Sequence, residues 1–150
     1  MTSPARIGRN FELEIHKKLK LVFPNDIHVQ SWSGTLADPG DIYTKHLLFD
    51  CKHISNYSET DIQKWYDKLQ REAEVSNRHP VIILRRAGSR SIQIIFNIEH
   101  IPGSVISGLA RFFWDDGIQI LKFMDEYYER KIKNTETTTQ DSSIQTPSSS

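Results

Sequence analysis

Two short apolar runs, LLFDCKHI at residues 47–54 and VIILRR at 81–86, stand on either side of a helical segment, and this order limits the chain's options most. Ser58 or Thr60 can cap that helix, which runs to about Ser76 with Ile62, Trp65, Tyr66, Leu69 and Ala73 on one face. A strand, a helix and a second strand in that order point to a parallel crossover within a mixed sheet. The rest of the chain fits around this unit. Residues 5–22 have helical spacing and stop at Pro24-Asn25-Asp26; residues 27–33 alternate like a strand; residues 34–40 form a loop. Residues 41–43 make a further strand, joined to 47–54 through Thr44-Lys45-His46. The 81–86 strand turns at Ala87-Gly88-Ser89-Arg90 and returns over 91–98. Pro102, Gly103 and Gly108 break any long element before a short strand at 111–114. Asp115 or Asp116 then caps a helix to about Ile132, with Ile118, Leu121, Met124, Tyr128 and Ile132 inward. The expected architecture is α/β: a mixed sheet flanked by helices, in the order αβββαββ, a short strand, then α.

A chain of 150 residues holds one compact domain, placed at residues 4–133. Residues 134–150 are rich in Ser, Thr and Gln with one aliphatic side chain, Ile144, and read as a disordered tail. The single cysteine, Cys51, excludes an intramolecular disulfide, and the opening MTSPARIGRN has no apolar leader core. Together these point to the cytoplasm, and no run approaches membrane-spanning length. Net charge is zero, with 19 basic and 19 acidic residues. The tail contains Glu136 and Asp141 but no Lys or Arg, so the remainder is slightly basic. Between Glu74 and Glu99 there is no acid, yet Arg78, Arg85, Arg86 and Arg90 fall there. Charge alone fits a nucleic-acid surface or a solvated one.

Asp50 and Lys52 carry the chemistry. Strand side chains alternate, so Leu48, Asp50 and Lys52 leave one face while Leu47, Phe49 and Cys51 leave the other. A carboxylate beside an amine suits metal-assisted hydrolysis: the acid holds a hard cation and the amine orients water or meets phosphate charge. It equally suits an ion pair on an exposed sheet face. Asp41 follows the Pro39-Gly40 turn, and the hairpin brings residue 41 opposite 49 or 50. It is either a second ligand or a strand-start residue, while Asp38 fits a turn before proline better than a ligand. In the first helix Gly8, Glu12, Ile15, Leu19 and Val22 form a seam that would bury a carboxylate. A rotated helix with Phe11, Ile15 and Leu19 inward would leave Glu12 on the border.

Gly8-x-x-x-Glu12, Pro39-Gly40-Asp41 and Asp50-Cys51-Lys52, with the Ser31-Trp32-Ser33-Gly34 loop ahead of them, resemble the PD-(D/E)xK nuclease superfamily. Their spacing over residues 5–100 is similar to that of archaeal and phage Holliday junction resolvases. The resemblance implies a restriction-endonuclease-like core in which Glu12, Asp41, Asp50 and the Cys51 carbonyl bind Mg²⁺, with Mn²⁺ as substitute. It implies that Lys52 positions the attacking water and that Ser33 contacts the scissile phosphate. It also implies a homodimer that nicks opposed strands of branched DNA. Gly40 separates the usual proline-aspartate pair, Asp50 stands where glutamate is common, and residues 102–114 match nothing in the family.

Other residues have two readings at this level. Gln63 fits a capping box with Thr60, or the water-orienting glutamine of some superfamily members. Arg85, Arg86 and Arg90 form a phosphate-contacting arm or a charged strand edge, and Arg6 and Arg9 would lie near the cut. Phe112, Phe113 and Trp114 serve core or dimer contact. Cys51 packs in the core, and none of the histidines has metal-ligand spacing. The expected function is a Mg²⁺-dependent, structure-selective DNA endonuclease, a resolvase in the first instance. The alternatives are a restriction-like, nicking or repair nuclease, and a non-catalytic DNA-binding module.

Overall fold

The computed structural model describes residues 4–29 and 42–144, with side chains at 9–29 and 42–135. Helix α1 (Pro4–Val22) leads into strands β1 (His28–Val29), β2 (Ile42–Tyr43) and β3 (Leu47–Ile54). Helix α2 (Glu59–Ser76) returns the chain to β4 (His79–Arg86), followed by β5 (Gln93–Asn97), a 3-10 turn (Ile98–His100), β6 (Leu109–Phe113) and α3 (Trp114–Ile144). The described strands form one mixed sheet in the order β1-β2-β3-β4-β5-β6. Only β3 and β4 are parallel, paired from Leu47↔His79 to Ile54↔Arg86. The expected crossover therefore forms the centre of an α/β fold with helices on the sheet.

Burial explains the central strands. Val81, Ile82, Ile83 and Leu84 are all buried, as a strand covered on both faces requires. In β3 the apolar start Leu47-Leu48-Phe49 is buried, whereas Asp50 to Ile54 are half-exposed. Alternation assigns the faces. The Phe11 ring of α1 lies 5.2 Å from the His53 ring, so Phe49, Cys51 and His53 face α1. Gly117 of α3 meets Ile94 on the same side; a Cβ there would stand 2.8 Å from Ile94 Cδ1. Leu48, Asp50 and Lys52 face α2.

Each helix corrects a detail of the sequence reading. In α1 the buried row is Phe11, Ile15 and Leu19, continued by Phe23 just past its end, so the rotated alternative holds and Glu12 is half-buried at the border. Four bulky apolar side chains at a spacing of four outweigh a seam that includes a carboxylate. In α2 the cap is Ser58, whose hydroxyl accepts from the Asp61 N–H while Asp61 accepts from the Ser58 N–H. The capping box drawn from Thr60 to Gln63 does not form. Asn77 closes α2 in a left-handed conformation, φ 56°. Helix α3 begins at Trp114, so Asp115 and Asp116 occupy its first turn and do not precede it. Its backbone stays helical to Ile144, past the end expected near Ile132 and into the segment expected to be disordered. No Gly or Pro interrupts residues 118–144, and Thr135 Oγ1 donates back to the Lys131 carbonyl at 2.9 Å. Residues 145–150 lie outside the described set.

Candidate functional site

On the α2 face, Lys52 Nζ stands 3.3 Å from Asp50 Oδ2, the same-face pairing that strand alternation requires. Neither side chain is sealed off: Asp50 is 24% exposed and Lys52 33%. Helix α2 crosses this face diagonally. Glu59 at its start pairs with Arg111 of β6, and the Tyr66 hydroxyl accepts from the Asn97 N–H at the end of β5, at 3.0 Å. Farther along, Lys68 and Glu72 act on Asp50 through their charges. The Lys52 ammonium also lies over the Trp65 ring, 5.5 Å from its centre.

Burial raises the Asp50 carboxyl above the ordinary aspartate range. Lys52 opposes that rise by charge and hydrogen bond, Glu72 adds to it, and Lys68 lowers it again. Burial prevails. The carboxyl therefore keeps its proton to a higher pH than a solvated aspartate does, even with an ammonium in contact.

The other expected site residues are distributed unevenly. Asp41 and Ser33 lie outside the described residues, as does Asp38. Glu12 sits on α1, whose apolar row packs on the opposite face of β3 from Asp50. Cys51 is half-buried against the core, as expected. Gln63 is exposed and donates to Asp67 Oδ1 at 2.9 Å, while Tyr66 on the same helix is buried. Arg85 and Arg86 point to opposite faces. Arg85 is bound inward, 2.6 Å from Glu14 Oε2 and over the Phe11 ring, which removes it from an exposed phosphate arm. Arg86 and Arg90 are exposed, as is Arg9; the Arg6 side chain lies outside the described set. The aromatic trio divides as well: Phe112 stacks on Phe96, Trp114 lies under Lys18, and Phe113 is exposed. Among the described residues no group of three His, Cys, Asp or Glu side chains is placed to hold a metal ion. A metal at Asp50 would therefore need a donor from outside that set; a hard carboxylate with burdened charge is the part of the fit that is present.

Sequence reading missed Trp65, Lys68 and Glu72 as neighbours of the pair. Their spacing of three and four gives one stripe beside the buried row Ile62, Tyr66, Leu69 and Ala73, and that was the available signal. It also missed a polar cluster at the opposite end of β3. His46 Nε2 lies 2.8 Å from Glu129 Oε2, and Lys45 Nζ is 3.2 Å from the same oxygen. Thr44 Oγ1 accepts from the His46 and Leu47 N–H groups, and the Thr44 carbonyl accepts from Arg78 Nε at 2.7 Å. His79 and His100 meet through their Nδ1 atoms at 3.2 Å, His79 stacks on Tyr128, and the Tyr128 hydroxyl donates to the His100 carbonyl. Burial, then the neighbouring His100 and His46, pushes His79 down to about 4.

No family model, curated protein or solved structure matches the chain. Function is therefore argued from the site. Among the described residues no helix is long and apolar enough to cross a membrane.

Proposed function

We propose that the chain is a divalent-cation-dependent DNA endonuclease centred on Asp50 and Lys52. The observation that carries this reading is a half-buried acid, held 3.3 Å from an ammonium on a sheet face, whose carboxyl is raised by burial. Perturbed carboxylates with a specific charge partner are the usual mark of a working site. The described hairpin adds support. Ile42 pairs with Phe49 and Tyr43 with Leu48, so this antiparallel hairpin runs beside β3 up to the residue before Asp50. The proposal requires Asp41, which lies outside the described residues, as the second acid.

In this reading Asp50 and Asp41, with the Cys51 carbonyl as a further donor, would hold Mg²⁺ or Mn²⁺; Glu12, on the helix that packs on the other face of β3, drops out of the ligand set. The bound ion would supply Lewis acidity at the phosphodiester. Lys52 donates a hydrogen bond to the attacking water or to a non-bridging phosphate oxygen, and Trp65 beside it limits where the ammonium can go. Water adds to phosphorus, the P–O bond to the leaving sugar oxygen breaks, and a phosphate terminus and a hydroxyl remain. Ser33 and the exposed Arg9, Arg86 and Arg90 would contact the DNA backbone, together with Arg6. A branched substrate cut by a homodimer, as in the resolvases the motifs resemble, is the first substrate to test.

The test is a gel assay on four-way junction, flap, single-stranded and linear duplex DNA, in Mg²⁺, Ca²⁺ or EDTA. Expected is Mg²⁺-dependent cleavage favouring the junction, lost in Asp50→Asn and Lys52→Ala. Preference for linear duplex would leave a restriction-like or nicking enzyme in place of a resolvase. Binding with no cleavage of any substrate would leave a DNA-binding module.

A further inference from the structure

From Asp50 and Lys52 outward, the α2 face carries two neighbouring aromatic rings with a cation at each end. Lys52 lies 5.5 Å from the centre of the Trp65 ring. The Trp65 ring is 6.1 Å from the Tyr57 ring, inclined at 54°. The Arg86 guanidinium is 5.1 Å from the Tyr57 centre. Four side chains from β3, the loop after it, α2 and β4 thus form one row that starts at Asp50. Both rings are only half-buried and Arg86 is exposed. Among the described residues no carboxylate forms an ion pair with Arg86. The aromatic pair Phe96–Phe112 is different: Phe96 is fully buried in the core, and among the described residues no cation stands over it.

We propose that Lys52, Trp65, Tyr57 and Arg86 form a track for an unpaired nucleotide strand leading to Asp50, which deepens and rests on the nuclease reading. Two neighbouring rings with a cation at each end complement a short single strand, whose bases can lie against the rings while flanking phosphates meet the cations. The cations take the phosphates and the rings take the bases, with no demand on sequence. A duplex keeps its bases in the stack and offers the rings only phosphate and sugar. The track therefore selects strands whose bases are already free, as beside a branch, a flap or a gap. Structure selectivity would then arise within one protomer, independent of dimer geometry.

The experiment measures binding by fluorescence anisotropy in EDTA, so that no cleavage occurs. The probes are a labelled oligothymidylate of about ten nucleotides, an abasic strand of equal length and a duplex. Expected is about tenfold tighter binding of the oligothymidylate than of the abasic strand. Trp65→Leu and Tyr57→Leu keep an apolar group against the core; each should bring oligothymidylate binding toward the abasic level and leave abasic binding unchanged. Arg86→Gln, at an exposed position, should weaken both strands and reduce the salt slope by about one. Equal affinity for base-bearing and abasic strands, tighter binding of duplex, or unaltered binding in well-folded Leu variants would overturn the track. The Mg²⁺ cleavage assay run in parallel separates the two ideas. Base-dependent binding without cleavage removes the nuclease and keeps the track, whereas cleavage without base dependence removes the track alone.

Discussion

The two ends of β3 both bury polar groups, and they resolve the cost in different ways. At the start of the strand Thr44, His46, His79, His100, Tyr128 and Glu129 serve one another, and hydrogen bonds from His46 and Lys45 hold the Glu129 carboxyl below its ordinary range. Closure there is not total: the Asp125 carboxyl beside Thr44 is also raised by burial, and His100 Nε2 is buried without a hydrogen-bond partner. Farther along, Asp50 has one ammonium in contact and a carboxyl raised by burial. A polar network bonded largely within itself stiffens a fold, while a carboxylate with one contacting partner beside a half-open surface is a candidate place for a ligand. In the proposed function the first is scaffold and the second is site.

The largest effects should separate the two ends by activity. Asp50→Asn or Lys52→Ala should lower cleavage by about 100- to 1,000-fold, the scale seen when one transition-state contact is removed. Asp50→Asn at pH 7 should raise the melting temperature, whereas Lys52→Ala, which strips the carboxylate of its one contacting ammonium, should lower it. At the other end, His79→Ala should cost about 2 kcal/mol in denaturant unfolding and leave cleavage unaltered. A catalytic loss from His79→Ala with intact stability would reverse the assignment of the two ends.

Acid should then move the two ends in opposite directions. His79 is lowered in the fold, so its contribution is present above pH 6.5 and is lost as pH falls toward about 4. Asp50 is raised in the fold, so its penalty is full above its folded pKa and disappears as pH falls to 3.8. The stability curve of His79→Gln should be flatter than wild type on its acid side, and the gain in Asp50→Asn should disappear there. Smallest of all, Gln63→Ala should change unfolding by less than about 0.5 kcal/mol and cleavage not at all, because its described partner is the exposed Asp67. A large catalytic loss would restore Gln63 to the site.

The sequence makes the Asp50 end legible and the His46 end invisible, for a physical reason. Asp50 and Lys52 are two apart in a strand, so alternation alone sets them side by side. The parallel crossover is equally local, since LLF and VIIL bracket a capped amphipathic helix. Positions 44, 46, 79, 100 and 129 meet only because the β3–β4 register sets Leu47 against His79 and because α3 folds back over that end. No window of sequence contains that information. The rotation of α1 was ambiguous because Phe11 and Glu12 are neighbours, about 100° apart around a helix, and both seams look amphipathic. The structure decides for Phe11. Arg85 and Arg86 looked alike as hairpin cations; alternation and Glu14 send Arg85 inward.

The central proposal is that a divalent cation binds beside Asp50. Calorimetric titration of the full chain with Mn²⁺, paired with melting curves, tests this without a substrate. The account predicts saturable binding by wild type, a melting temperature that rises with Mn²⁺ concentration, and loss of both in Asp50→Asn. A wild-type protein that takes up no Mn²⁺, or an Asp50→Asn protein that takes it up equally well, would contradict it.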